Sequence, residues 1–345
     1  MIRVAIVGGG PAGAYCAYSL AENGVSAVIF DHTHPREKPC GGLISPLAQE
    51  MFPFLKTIPI KHSERSRVYL VTSSGNRACI HLRKSKVLGF SRLKLDQYLI
   101  NMALDKGAEL INEKVVAFER KNNSWKVKTT NQVCTAENLV GADGVNSLVR
   151  RKIVGPLCKM DKGICCGYLV KGLEKEDITI RLLVHRKGFM WVIPRNDHTS
   201  LGIGTAEASR SYGLRQELDM FIEQQYPHVE KISQWAALIP NIKNVKTFQI
   251  PIAGPNWMLI GDSAGHVNPI LGEGIIYALL DGELAAQAIV EDNPELFNEL
   301  WIEAYGSSLS MQVKIRKWLY TKVGAELYCK LLKLQNSLNL WPIRY

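Results

Sequence analysis

The chain has 345 residues, more than one typical domain and fewer than three, which predicts two lobes sharing one ligand cleft. Its 46% hydrophobic and 21% charged residues are ordinary for a globular protein with a sizeable core and exclude a disordered chain. The 42 Lys and Arg against 32 Asp and Glu leave a net charge of +10, which favours anionic partners without choosing among phosphate ligands, lipid headgroups, an acidic redox protein or nucleic acid.

Eight cysteines (Cys16, Cys40, Cys79, Cys134, Cys158, Cys165, Cys166 and Cys329) are scattered, with no C-x-x-C pair and no His-containing ligand spacing. They predict a reducing, cytoplasmic setting without structural disulfides and without a metal site. MIRVAIVGGG reads as a strand entering a turn, not as a secretory signal. No apolar run approaches the roughly 18 residues that span a bilayer, because the longest candidate, from Gly274 to Val290, carries Asp281 and Glu283.

Taken in chain order, residues 2–7 form a strand, GGGPAG a turn, residues 14–24 a helix stopped by Gly24, and VSAVIFD a second strand ending in Asp31. Residues 43–55 suit a short helix, and residues 68–82 a hairpin around Ser74-Gly75. A helix entered at Ser91 and stopped near Gly107 precedes the strands AELI, KVVAFER, SWKVKTT and VCTAENLVGAD. Between about 160 and 255, the strands ICCGYLVKGL, ITIRLLVH, GFMWVIP and TSLGIG and the helix LRQELDMFIEQQY predict an antiparallel sheet with helical cover. WMLIGD then returns as a strand, residues 273–292 form a long helix, and the chain is helical from Pro294. The expected division is 1–70, 91–158 and 255–293 for a nucleotide-binding part, 71–90 and 159–254 for a substrate part, and 294–345 for a helical end.

Three glycine-rich stretches carry the chemistry. Gly8, Gly10 and Gly13, with Pro11 and Ala12 between them, form G-x-G-x-x-G after a strand and before a helix, and Asp31 closes the next strand. Glycines admit a pyrophosphate to the backbone, the helix start offers free N–H groups, and the carboxylate suits ribose hydroxyls. Asp31 disfavours a 2′-phosphate, which leaves NAD or FAD. The second stretch is GADGVNSLVRR, with Asp143 and Gly144 at a strand end; the third is LIGDSAGHVNPILGEGI, with Asp262, His266, Gly272, Gly274 and Ile275. A simple dehydrogenase needs neither.

With Arg92 in SRLKLDQYL, these stretches resemble the FAD-dependent oxidoreductases of the para-hydroxybenzoate hydroxylase fold, over about residues 2–290. The resemblance implies an α/β fold: a Rossmann-like FAD-binding domain, an antiparallel-sheet substrate domain and a helical C-terminus. It implies that Asp143 and Gly144 lie near the FAD, Arg92 near its pyrophosphate, and Asp262 on the ribitol or pyrophosphate. The turn Gly272–Gly274, leading to Ile275, would face the N1 and O2 edge of the flavin with helix N–H groups.

Within that fold, Pro39-Cys40-Gly41-Gly42 and the strand Phe189-Met190-Trp191-Val192-Ile193-Pro194 resemble the geranylgeranyl reductase family, whose members saturate isoprenoid double bonds. The resemblance places the Cys40, Gly41 and Gly42 loop beside the isoalloxazine. Reducing an isolated alkene takes a hydride and a proton, so Cys40 is the first candidate acid and His266 the second. Phe189 and Trp191 share a strand face and either line a substrate tunnel or form core. The implied partners are an isoprenoid lipid and an electron donor, NAD(P)H or an acidic ferredoxin.

From Met311 to Tyr345 there are seven Lys or Arg and one acid, Glu326. Trp318, Leu319, Val323, Leu327, Leu331 and Leu334 recur at helical intervals, which suits either a helix capping the substrate part or one lying on an anionic membrane surface, or both. No nucleic-acid-binding signature accompanies the charge. The rival readings are a flavin hydroxylase of the same fold and a non-catalytic flavoprotein.

Overall fold

The computed structural model describes residues 2–337. Its contacts divide the chain into two compact units, the first of residues 1–37, 92–158 and 240–310, the second of residues 38–91, 159–239 and 311–345.

The first unit is built on a sheet in the order Ala253–Gly254, Trp257–Leu259, Val133–Gly141, Ile2–Val7, Ala27–Phe30, Glu109–Ile111. The last five strands run parallel, with Ile6 opposite Ile29 on one side and Val140 on the other, and Val140 opposite Met258. The burial of Val4 through Val7 and of Ala27 through Phe30 is that of strands covered on both faces, which is why they read as unbroken apolar runs. The hairpin Val115–Lys121 and Ser124–Thr129 adds to Val133–Gly141 antiparallel. Helix Pro11–Glu22 packs against Ile275–Val290 and Arg92–Asp105. This register brings Gly8, Asp31, Ala142-Asp143 and Gly261-Asp262 to the carboxyl ends of four adjacent strands. The chain order reverses there, since the strand after Ile2–Val7 lies on one side of it and Val133–Gly141 on the other; open parallel sheets bind ligands at such points.

The second unit holds a seven-stranded sheet in the order Glu230–Pro240, Lys162–Lys171, Thr199–Thr205, Gly188–Pro194, Ile178–Leu183, Arg67–Val71, Arg77–His81. The expected hairpin is present as Arg67–Val71 and Arg77–His81, while the strand Glu230–Pro240 was not anticipated. Helix Leu214–Gln225 buries Leu214, Leu218 and Ile222 against Tyr168, Val170, Met190, Val192, Leu201 and Ile203. Alternation then turns Trp191 and Ile193 to the other face.

Three boundaries differ from the sequence expectation: residues 38–70 belong to the second unit, residues 240–254 and 294–310 to the first, and the chain from 311 to the second. The reason for 38–70 is a set of long-range bonds. Ser63 donates to the Pro194 carbonyl at 2.6 Å, and Arg65 Nε donates to the Glu176 carbonyl at 2.7 Å. Residues 43–55, expected as one helix, form a two-residue strand, the helix Pro46–Met51 and a 3-10 turn at Pro53–Lys56.

Candidate active site

In the first unit the glycine turn is set by close approach. Gly8 has φ of +108°, and a Cβ there would lie 2.3 Å from the Ala142 carbonyl oxygen; a Cβ on Gly13 would lie 1.9 Å from the Gly8 oxygen. Neither position admits another residue without moving the backbone. Helix Pro11–Glu22 begins with Gly10 extended and Pro11 at its first position, with no side-chain cap and no acid in its first turn. No side chain of that first turn therefore competes for its leading N–H groups.

Asp31 is buried beside this turn. Its Oδ2 accepts from Gly9 N at 2.7 Å and its Oδ1 from Thr33 N at 2.6 Å and His34 N at 3.0 Å. The His34 ring bridges two carboxylates, with Nδ1 at 2.8 Å from Asp31 Oδ2 and Nε2 at 3.3 Å from Asp96 Oδ2. Arg92 grips Asp96 through Nε and Nη2, both at 2.8 Å. Burial by itself would raise the Asp31 carboxyl, but the His34 hydrogen bond and charge, then the Gly9 and Thr33 N–H groups, hold it well below the usual carboxylate range. Burial likewise opposes the His34 proton, yet Asp31 and Asp96 outweigh it and raise the imidazole above its ordinary value.

The strand expected to finish at Asp143-Gly144 ends at Gly141, and the Asp143 carboxylate turns into the chain that follows. It accepts from Ser147 Oγ and from Leu148 N at 2.6 Å, opening the helix Leu148–Ile153. Burial raises this carboxyl, and those hydrogen bonds oppose the rise. The backbone of the preceding residue shapes the turn, with Ala142 N donating to the Val7 carbonyl at 2.8 Å.

The Gly261-Asp262 turn is fastened from beneath. Asp281, fully buried, accepts from Gly261 N at 2.6 Å and from His266 Nδ1 at 2.9 Å, and the Tyr305 hydroxyl donates to it. His266 is 1% exposed and packs on Trp301 with ring centroids 4.4 Å apart. These partners enclose the His266 ring. Arg150 Nη1 donates to the Ser263 carbonyl at 3.1 Å, which ties the second glycine-rich stretch to the third. Helix Ile275–Val290 starts from Gly274 with no side-chain cap and no acid in its first turn. A Cβ on Gly274 would lie 3.5 Å from Asp262 Oδ1.

The second unit holds the other candidates. Gly42 has φ of +74°, and a Cβ there would lie 2.1 Å from the Phe90 carbonyl oxygen. The Cys40 carbonyl accepts from Arg195 Nη2 at 2.7 Å and Ser200 Oγ at 3.0 Å, and the Gly41 carbonyl from Arg195 Nε at 3.2 Å. Gly42 N donates to Cys40 Sγ at 3.3 Å. The thiol is half-buried, and all eight cysteines are free. Trp191 Nε1 donates to the same Ser200 Oγ at 3.1 Å. Its ring stacks on Trp235 with centroids 5.8 Å apart and lies 5.6 Å from Phe189. The indoles lie flat because glycines underlie them: a Cβ on Gly202 would be 2.1 Å from Trp191, and one on Gly167 would be 2.5 Å from Trp235.

The profile of the FAD binding domain family matches residues 1–291. The chain belongs to this family. It is 29% identical over 303 residues to a geranylgeranyl diphosphate reductase of Rhodobacter capsulatus, covering 82% of this chain and 73% of the relative. A menaquinone reductase of Mycobacterium tuberculosis is 28% identical over 333 residues, covering 89% of this chain and 81% of the relative. Among solved structures, a geranylgeranyl bacteriochlorophyll reductase-like protein from Thermoplasma acidophilum matches with a TM-score of 0.76 at 20% identity over 98% of both chains. The p-nitrophenol 4-monooxygenase PnpA of Pseudomonas putida matches with a TM-score of 0.77 at 15% identity, over 97% of this chain and 94% of that one. These structures establish the fold, that of the para-hydroxybenzoate hydroxylase type.

The protein is thus an FAD-dependent oxidoreductase. The first unit suits this cofactor on its own geometry: a glycine cradle closed to a Cβ at Gly8 and Gly13, and two helix starts free of side-chain caps and acids. His34 Nε2 is a buried ring nitrogen without an aligned hydrogen bond, and a Cβ on Gly10 would lie 3.8 Å from it. Sequence reading did not find His34, Asp96, Arg150, Asp281, Arg195, Ser200 or Trp235. Arg195 had one local signal, a charge directly after a buried strand. His34 and Asp96 also have local partners, Asp31 three residues before and Arg92 four residues before, while Arg150, Asp281 and Trp235 declare themselves through partners farther off.

Proposed function

We propose that the protein saturates carbon–carbon double bonds of an isoprenoid chain carried on a lipid, pigment or quinone. The observation that carries this reading is the Cys40 loop, held by Arg195 and Ser200 on the sheet face that bears Trp191. Relatives named as geranylgeranyl diphosphate and menaquinone reductases support the same chemistry.

Bound FAD, once reduced, supplies a hydride to one alkene carbon. Gly8, Gly10, Pro11, Ala12 and Gly13 would take its pyrophosphate, Asp31 its ribose, Arg92 and Asp262 its middle, with the backbone of Asp143 and Gly144 beside it, and Gly272, Gly274 and Ile275 its ring edge. Cys40 gives its thiol proton to the other carbon, and the Gly42 N–H steadies the sulfur left behind until solvent reprotonates it. Phe189, Trp191 and Trp235 offer the apolar surface on which a hydrocarbon chain lies without competing hydrogen bonds. His266, enclosed by Asp281, Tyr305 and Trp301, serves the cofactor turn and not the proton transfer. Electrons come from NAD(P)H or from an acidic ferredoxin drawn to the basic surface.

The monooxygenase fold relative favours one rival, oxygen activation by the reduced flavin. The test is to reduce the purified holoprotein with dithionite under argon, add a geranylgeranyl lipid and analyse the product by mass spectrometry. A gain of two hydrogens per double bond supports the reductase. Untouched lipid, with rapid oxygen uptake and a hydroxylated product in air, supports the rival.

A further inference from the structure

The last two helices of the described residues, Ser307–Leu319 and Lys322–Ser337, each show two different faces. In Lys322–Ser337 the inner face buries Ala325, Cys329 and Leu332 against the strand Arg77–His81. Glu326, the sole acid from Met311 onward, faces the hairpin tip, where Ser74 Oγ and Asn76 Nδ2 donate to it, the latter at 2.7 Å. The preceding helix, Ser307–Leu319, buries Val313, Arg316 and Leu319.

The outer faces are apolar as well. Val323, Leu327, Leu331 and Leu334 form a stripe along one helix, and Met311, Ile315 and Trp318 a stripe along the other, each residue 40–73% exposed. Lys314, Lys317, Lys322, Lys330 and Lys333, all exposed, lie among them. A helix ordinarily leaves its polar residues outside; here aliphatic side chains and lysines share the outside. Large apolar residues exposed in a row along a helix mark a face that something covers.

We infer that these outer faces dock on an anionic lipid surface, with the aliphatic stripes entering the acyl boundary and the lysines at the headgroups. Charge selects this occupant. A second copy meeting through the same face would set lysines against lysines, since a two-fold contact pairs a patch with itself. A nucleic acid would leave the leucines in water. Anionic headgroups over an acyl layer satisfy both parts of the pattern. Docking stands on this geometry alone; its purpose, delivering a lipid-borne isoprenoid, rests on the reductase reading. No helix among the described residues is long and apolar enough to cross a membrane, so the contact is with the surface.

The test is co-flotation of the FAD-loaded protein with phosphatidylcholine vesicles, with and without phosphatidylglycerol, without substrate. Binding is expected only to the anionic vesicles and falls with salt. Lys330→Glu with Lys333→Glu weakens it at least 25-fold, since each lysine at such a surface is worth about fivefold. Leu327→Glu with Leu331→Glu abolishes it while the flavin spectrum and Tm stay unchanged, because both side chains are exposed in the folded chain. Equal binding to both vesicle types, no binding, or indifference to these substitutions would overturn the proposal. So would a dimer in solution that Leu327→Glu with Leu331→Glu splits. Vesicle binding alongside untouched geranylgeranyl lipid in the dithionite assay would leave docking intact and sink the reductase reading.

Discussion

His34→Gln tests the charge arrangement under the glycine turn. In the native chain one imidazole faces Asp31 and Asp96, with Arg92 on the far side of Asp96 and Thr33 beside Asp31. A neutral glutamine leaves two buried carboxylates with one guanidinium. Removing a partner from a buried pair costs about 3–5 kcal/mol. Asp31 keeps N–H donors from Gly9 and Thr33, so about 2–3 kcal/mol is expected, or roughly 4–12 °C in Tm at 2–4 °C per kcal/mol. The pH dependence is more telling. The folded pKa of His34 is raised, so its contribution is full below the unfolded value near 6.5. It is lost as pH climbs through the folded value, at about 1.4 kcal/mol per pH unit, because the folded state holds the extra proton. Asp31 and Asp96 are depressed, so their contribution is present above about pH 4 and is lost in acid. Urea unfolding from pH 5 to 9, followed by far-UV circular dichroism, should give an alkaline decline in the native protein and a flatter line in His34→Gln. Flavin absorbance in the same samples separates loss of FAD from loss of fold. Parallel declines in both proteins would refute the assignment of the proton to His34.

Gly13→Ala should purify colourless, because its Cβ would lie 1.9 Å from the Gly8 oxygen and displace the cradle; flavin absorbance near that of the native protein would contradict this. Cys40→Ser should keep FAD and lose most alkene reduction, read by single-turnover product analysis, and unchanged turnover would make the thiol structural. Arg195→Met should strip the Arg195 donor from the Gly41 carbonyl and leave the Cys40 carbonyl to Ser200 alone, at about 1–3 kcal/mol for the one acceptor left without its donor. Iodoacetamide should then label Cys40 severalfold faster by peptide mass spectrometry, with Arg195→Lys partly restoring the native rate; equal labelling in all three proteins would remove Arg195 from that role.

The parallel sheet of the first unit was legible because its strands are covered on both faces and its turns are local. Gly8 through Gly13 and Asp31 lie within one strand, turn, helix and strand, so spacing alone implies their meeting. The alternation of Gly188–Pro194 likewise predicted that Phe189 and Trp191 share a face, and their rings lie 5.6 Å apart. The destination of residues 38–70 was not legible, since it depends on Arg65, Ser63 and the Cys40 loop bonding to residues more than 100 positions away. Asp143 reads as a cofactor ligand in the sequence only if its carboxylate is free, and Ser147 and Leu148 take that carboxylate. Asp281 was read only as a charge that forbids a membrane span; its value lies in what it holds, Gly261 and His266.

Four of the unread residues, Arg150, Asp281, Arg195 and Ser200, share one physical task. A glycine turn leaves its backbone bare so that something can approach it, and a bare turn has no side chains with which to anchor itself. Its carbonyls and N–H groups must then be held by long polar side chains from elsewhere, buried so that water does not compete. Arg150 and Asp281 do this for the Gly261 turn, and Arg195 with Ser200 does it for the Cys40 loop. The turn is written in consecutive residues because its conformation is local. Its clamp is written anywhere the fold can return a side chain to it, so in each unit the motif is visible in the sequence while the residues that hold it rigid emerge only from the packed structure.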